Sequence, residues 1–171
     1  MKSCKTSGEC LTNFKRIAII ETMIDPSVLG NYSLFDGLEE DQIQSILPLM
    51  EQEDYIAGTD IIVEGTHVGK IRFILEGRVA VVKNGIILME LDEGAVFGEM
   101  EVVDIQPAEA TVKALAKTRV MTLSIDALGE IYEKDLKTYS FMLMNLARDI
   151  SRRLRRMDLL ASKESPPMEW N

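Results

Sequence analysis

Two cysteines and a single histidine leave this chain little material for metal or redox chemistry. A zinc or iron centre draws on three or four converging soft ligands, and Cys4, Cys10 and His67 cannot supply them within one subunit. Reduced surface thiols near the N-terminus are the expectation, with a metal or cluster shared across a dimer as the alternative. A Ser-His-Asp or Cys-His arrangement would have to use His67, and no nucleophile elbow surrounds it. The expectation is therefore no catalytic residue, no metal and no cofactor: not an enzyme. Long apolar runs are missing as well. None approaches the roughly 20 residues a bilayer-crossing helix needs. Ile17–Ile20 follows Lys15 and Arg16 but is closed by Glu21, which does not read as a secretion signal. A cytoplasmic location and no membrane partner are expected.

Positive charge is the next scarcity. Nineteen Lys and Arg face 28 Asp and Glu, for a net charge of −9 over 171 residues. Most of such a surface repels a phosphate polymer. Residues 148–156 run the other way, with five arginines and one aspartate, +4 locally, so the rest carries −13. Those arginines read either as a solvated helix face with i,i+4 partners or as a surface for an acidic partner.

What is present is ordered along the chain. Residues 1–30 read as a polar tail and a helix over Leu11–Met23, closed by Asp25-Pro26. A turn-rich stretch and a helix over Glu39–Met50 follow. From Asp54 to Ser124 short β-rich runs alternate with glycine turns: Asp60–Val63, Ile71–Leu75, Val79–Lys83, Ile86–Leu91, Val96–Phe97, Ala110–Ala114 and Arg119–Ser124. Such spacing predicts an antiparallel sandwich or barrel. Asn84-Gly85 predicts a tight hairpin, because its two residues tolerate positive φ. Helical periodicity returns at Ile125–Tyr132 and over Leu136–Ala161, a span of about 39 Å. Its apolar residues recur with spacings of three and four. Leu143, Leu146, Ala147, Ile150, Leu154 and Met157 then form a helix–helix seam, which predicts a two-fold dimer. Residues 31–161 are read as one domain and 162–171 as a tail.

The segment Phe97-Gly98-Glu99-Met100-Glu101, continuing through Pro107-Ala108-Glu109-Ala110-Thr111-Val112, resembles the phosphate-binding cassette of cyclic nucleotide-binding domains. It matches the length of the family pattern F-G-E-x-A-L-x-x-x-x-P-R-x-A-T-V without a gap. Gly58–Gly65 and Phe73–Val79 resemble that family's barrel turns, and the arginine-rich helix resembles the dimerisation helix of the Crp/Fnr branch. The resemblance covers about residues 33–160. It implies a mainly β fold with flanking helices: a double-stranded β-helix (jelly-roll) barrel, N-terminal helices and a long C-terminal dimerisation helix. In such a cassette Gly98 lets the backbone approach a ligand, and Glu99 accepts from a ribose hydroxyl. An arginine then clamps the cyclic phosphate.

Here the sequence departs from that family. Ala108 stands at the arginine position, Glu109 follows it, and Glu101 replaces a small residue. The ligand-facing candidates are thus Gly98, Glu99, Met100, Glu101, Ala108, Glu109 and Thr111, with no cation among them. Losing a buried charge partner costs about 2–5 kcal/mol, which is about 30- to 5000-fold in affinity. Lys113 or Arg78 could substitute for it. The base-contacting hydroxyl of the activator branch falls, by ungapped counting, near Arg153 and Leu154. The expectation is a regulatory domain that binds cyclic AMP and GMP weakly or not at all. The readings left open are a sensor of a non-phosphate ligand and a ligand-free scaffold for a protein partner. With only about ten residues after the long helix, no helix-turn-helix and no direct DNA reading are expected.

Overall fold

The structure is a computed structural model and describes residues 29–30 and 32–164. The helix expected over Leu11–Met23, Cys4, Cys10 and the 165–171 tail lie outside the described residues. A 3-10 turn, Ser33–Phe35, leads to helix α1 (Glu40–Ile46). The α-helix gives way to a 3-10 turn at Leu47–Leu49, where Pro48 has no N–H to donate. Eight strands follow: β1 Glu51–Tyr55, β2 Asp60–Ile62, β3 Lys70–Glu76, β4 Arg78–Lys83, β5 Ile86–Asp92, β6 Val96–Phe97, β7 Thr111–Ala114 and β8 Thr118–Ser124. Helix α2 (Glu99–Val103) interrupts them after β6. Helices α3 (Ile125–Lys134) and α4 (Leu136–Glu164) end the described chain.

The strands form two antiparallel four-stranded sheets, in the orders β1-β8-β3-β6 and β2-β7-β4-β5. This is the jelly-roll-like β fold with flanking helices that the sequence predicts. Alternation decides which face each residue serves. On β3, Ile71 and Phe73 point to the helices, whereas Ile74 points between the sheets. The helix-side core packs Phe73 edge-on to Phe35 at 5.2 Å and joins it to Ile43, Ile46, Leu128, Met142 and Leu146. Fully burying one such side chain stabilises the fold by about 1.5–3 kcal/mol. The inter-sheet core is Ile62, Ile74, Val79, Phe97, Val112 and Val120.

Two turns show why the glycine punctuation is necessary. Asn84 and Gly85 both have positive φ, 52° and 75°, and close the β4–β5 hairpin as expected. Gly77 (φ 93°) packs so tightly that a Cβ would lie 2.4 Å from the Lys117 carbonyl. Strand β1 was not expected. Its sequence, Glu-Gln-Glu-Asp-Tyr, has no apolar alternation, yet it pairs with β8 from Glu51↔Thr122 to Tyr55↔Thr118.

The long helix is fastened at its start. Asp135 caps it by accepting from the Lys137 and Thr138 amides at 3.0 and 3.1 Å and from the Thr138 hydroxyl at 2.5 Å. Gln42 of α1 donates to both Asp135 and Thr138. Further along, buried Asn145 donates to the Leu34 and Asp36 carbonyls at 3.1 and 2.8 Å, and Ser33 donates to Asp149 at 2.7 Å.

Candidate functional site

The cassette begins where β6 ends. Gly98 turns the chain with φ 77° and caps α2. The space at its Cα belongs to the protein rather than to a ligand. A Cβ there would lie 2.6 Å from the Lys70 carbonyl, 3.2 Å from Arg72 Nη1 and 3.3 Å from Ile62 Cδ1. Close packing on β3 and the left-handed backbone both require glycine.

Glu99, the first residue of α2, is only 5% exposed. Its Oε1 accepts from Arg153 Nη1 of α4 at 2.9 Å, and Arg153 Nη2 donates to the Val96 carbonyl. One guanidinium from the long helix thus bridges the strand before Gly98 and the carboxylate after it. Burial pushes the Glu99 carboxyl above its ordinary value, the Arg153 cation opposes that rise, and Asp149 adds to it.

The other expected ligand-facing residues are deployed differently. Glu101 is 3% exposed, and its Oε2 accepts from the Val68 and Gly69 amides at 2.7 and 3.3 Å. It braces the β2–β3 loop rather than presenting charge to a ligand. Ala108 joins the same seam: its amide donates to Thr66 O and its carbonyl accepts from the Gly65 amide, both at 2.8 Å. The Thr111 hydroxyl accepts from the Glu64 amide at 3.1 Å. Glu109 is exposed and sits 3.9 Å from Lys83, while Met100 points outward at 58% exposure. So of the three carboxylates expected to ring a phosphate, Glu99 alone meets the long helix. The two expected substitute cations are engaged elsewhere, Lys113 with Asp60 at 3.2 Å and Arg78 with Glu90 at 3.8 Å. The cassette loop also holds Ile105 at φ 55°, a strained conformation for a β-branched residue.

Two arginines come to the cassette, one near the position that ungapped counting marks as base-contacting and one with no signal in the sequence. Arg153 is one. Arg72 of β3 is the other, 3% exposed and lying against Gly98. Its charge is already matched: Nε lies 3.5 Å from Glu53 Oε2, and Nη1 donates to the Lys70 carbonyl at 3.2 Å. Glu53 also accepts from the Tyr55 hydroxyl at 2.5 Å and from Lys70 Nζ at 3.0 Å. Burial raises Glu53, but the Tyr55 hydroxyl, Lys70 and Arg72 together outweigh it and hold that carboxyl below its usual range. Burial, reinforced by the hydrogen bond to Glu53, pushes the Tyr55 phenol up to about 12.

On the expected dimer seam, Leu143, Ala147, Leu154 and Met157 are exposed and Ile150 is half-buried. Leu146 is a correction. At 2% exposure it belongs to the protomer's own helix-side core, the cluster that also holds Phe73 and Met142, so its side of the helix is turned from solvent. Among the described residues no His, Cys, Asp and Glu group is placed to hold a metal, and no helix is long and apolar enough to cross a membrane.

Residues 52–135 match the family model described as the cyclic nucleotide-binding domain. The potassium/sodium hyperpolarization-activated cyclic nucleotide-gated channel 2 of Homo sapiens is 30% identical over 107 residues, 63% of this chain and 12% of the channel. The cAMP-dependent protein kinase regulatory subunit of Schizosaccharomyces pombe is 31% identical over 120 residues, 67% of this chain and 29% of that protein. The chain thus spans about an eighth of the channel 2 relatives it matches. Among solved structures, a cyclic nucleotide-binding domain from Methylobacillus flagellatus superposes with TM-score 0.72 and 21% identity, over 92% of this chain and 87% of that one. The Thermus thermophilus catabolite activator protein gives 0.65 and 24%, over 76% and 62%. At these identities the likeness concerns the fold.

Proposed function

We propose, on the premise that residues 52–135 are a cyclic nucleotide-binding domain, that this chain is a non-enzymatic regulatory module whose long helix reports the state of the cassette. The unit spans residues 31–161, works as a cytoplasmic homodimer through α4, and has weak or lost affinity for cyclic AMP and cyclic GMP. One observation carries this reading: Ala108 occupies the arginine position, and the cation present at Glu99 is Arg153, delivered by α4. A ligand that takes Glu99 must displace Arg153 and so releases the distal helix, which couples occupancy to helix position.

Isothermal titration calorimetry tests the affinity. The expected outcome is no saturable heat for either cyclic nucleotide at micromolar concentrations; micromolar or tighter binding contradicts the reading. Sedimentation tests the dimer, for which Leu143, Ala147, Ile150, Leu154 and Met157 supply an apolar stripe. A second reading, a ligand-free scaffold for a protein partner, is favoured by β5. This edge strand exposes Ile86, Ile87 and Leu88 at 65%, 54% and 49%, and natural sheets usually protect such an edge with charge. Strand-directed pull-down with α4 left intact separates the two.

A further inference from the structure

The polar groups that converge on the guanidinium at the start of the cassette are acceptors only. Glu99 offers a carboxylate that is 94% buried at its side chain, and Val96 offers a carbonyl on β6, the edge strand of its sheet, which pairs with β3 alone. No cationic side chain of the 97–112 segment faces them: the segment contains none. Arg72 is balanced by Glu53. Such a pair of acceptors repels a phosphate and selects a donor. It also selects shape. The two nitrogens of Arg153 reach two different acceptors at once, which a planar fork does and a compact ammonium does not.

We propose that the cassette is a guanidinium-binding site: Glu99 and the Val96 carbonyl recognise the group, Arg153 is its resident occupant held in cis, and a small molecule bearing a guanidinium is the ligand class that exchanges with it. This rests on the reading that α4 reports the cassette's state, and it names the ligand for that same site. Removing Arg153 without a replacement leaves a buried carboxylate unpaired, so departure of α4 itself calls for a cation. Because Arg153 is tethered at an effective concentration on the order of millimolar, the wild-type chain takes a free guanidinium only at comparable concentrations, and a chain lacking Arg153 takes it more tightly.

The test is chemical rescue. Thermal unfolding of R153A is followed with agmatine, with putrescine as a diamine lacking the guanidinium, and with salt at matched ionic strength. At ten times its Kd agmatine raises the Tm of R153A by about 3 °C, putrescine raises it far less, and the R153A/E99Q double variant does not respond. A blocked Gly-Arg-Gly peptide run alongside separates a metabolite from an arginine on another protein; saturable rescue by either upholds the site and names the source. No rescue of R153A, or equal rescue of the double variant, overturns the proposal. Should R153A fail to fold, agmatine is titrated into the wild-type chain by amide NMR: saturable shifts confined to Val96–Glu99 and α4 support the site, and their absence at tens of millimolar removes it. Tight cyclic AMP binding sinks the underlying reading as well, whereas inertness to both cyclic AMP and agmatine sinks this inference alone.

Discussion

The first half of α4 and its second half are one continuous helix under different rules. Up to Ile150 the helix is built into the domain. Met142 and Leu146 are 0% and 2% exposed, Asn145 is bonded to two carbonyls of the Ser33–Phe35 region, and Asp135 caps the start. Beyond Ile150 it exposes Leu154, Met157, Leu159 and Leu160 at 49–64%, and among the described residues its one ionic tie to the barrel is Arg153 to Glu99. Stability resides in the first half, and sensitivity to the cassette in the second. Packing fixes one segment at a cost of several kcal/mol to disturb, while a single ion pair holds the other near the range a ligand can overcome.

The largest blow to this contrast comes from Leu146→Ala. It removes buried methyl groups from the helix-side core and is expected to cost about 2–5 kcal/mol in urea unfolding, with the Glu99 tie untouched. Arg153→Ala follows at about 1–3 kcal/mol, the range for a partly buried charge-assisted bond. Its signature is local: amide exchange speeds up along 151–164 and not along 138–150. Equal acceleration in both halves would break the distinction.

Acid sharpens it further. The Thr138 hydroxyl, helped by the Thr138 amide, Gln42 and the Lys137 amide, lowers the Asp135 carboxyl from 3.8 to about 2. A depressed carboxyl stabilises the fold above its unfolded pKa, and that contribution fades as pH falls from about 4 towards 2. Glu99 has the opposite sign. Its folded pKa lies above 4.5, so its ionisation weakens the fold as pH rises through the window above 4.5. On acidification it takes up its proton first. The Arg153 tie therefore loosens at a pH where the Asp135 cap is intact, and residue-resolved NMR titration should show the distal half responding first. The smallest expected effect on the protomer is Leu154→Glu: within about 0.5 kcal/mol of unfolding stability, but with loss of the dimer in sedimentation.

How far the sequence alone reaches depends on whether a signal is local. Strands β2 to β8 were legible because apolar alternation and glycine turns lie within each run, as Asn84-Gly85 shows. Strand β1 was not, since Glu51 and Glu53 owe their place to Lys70, seventeen to nineteen residues away. The cassette's position and length were legible from Gly98 and Glu99. The roles of its departures were not: Glu101 reads as an obstacle to phosphate, yet it holds the Val68 and Gly69 amides 32–33 residues upstream. Ungapped counting sets a ligand-contacting position near Arg153, but its pairing with Glu99, 54 residues away, was not legible, because helical spacing says which residues share a face without saying what that face meets. The same ambiguity put Leu146 on the seam, where three-and-four spacing suits an inner and an outer partner alike.

The length of α4 gives the Arg153 contact a mechanical consequence. From the pivot at Asn145 to Glu164 the helix runs about 28 Å. A tilt of about 10° there sweeps the far tip through an arc of about 5 Å on the 1.5 Å rise per residue. Exchange of one guanidinium at the cassette is thereby magnified into a displacement as large as the diameter of a side chain at the C-terminal end of α4.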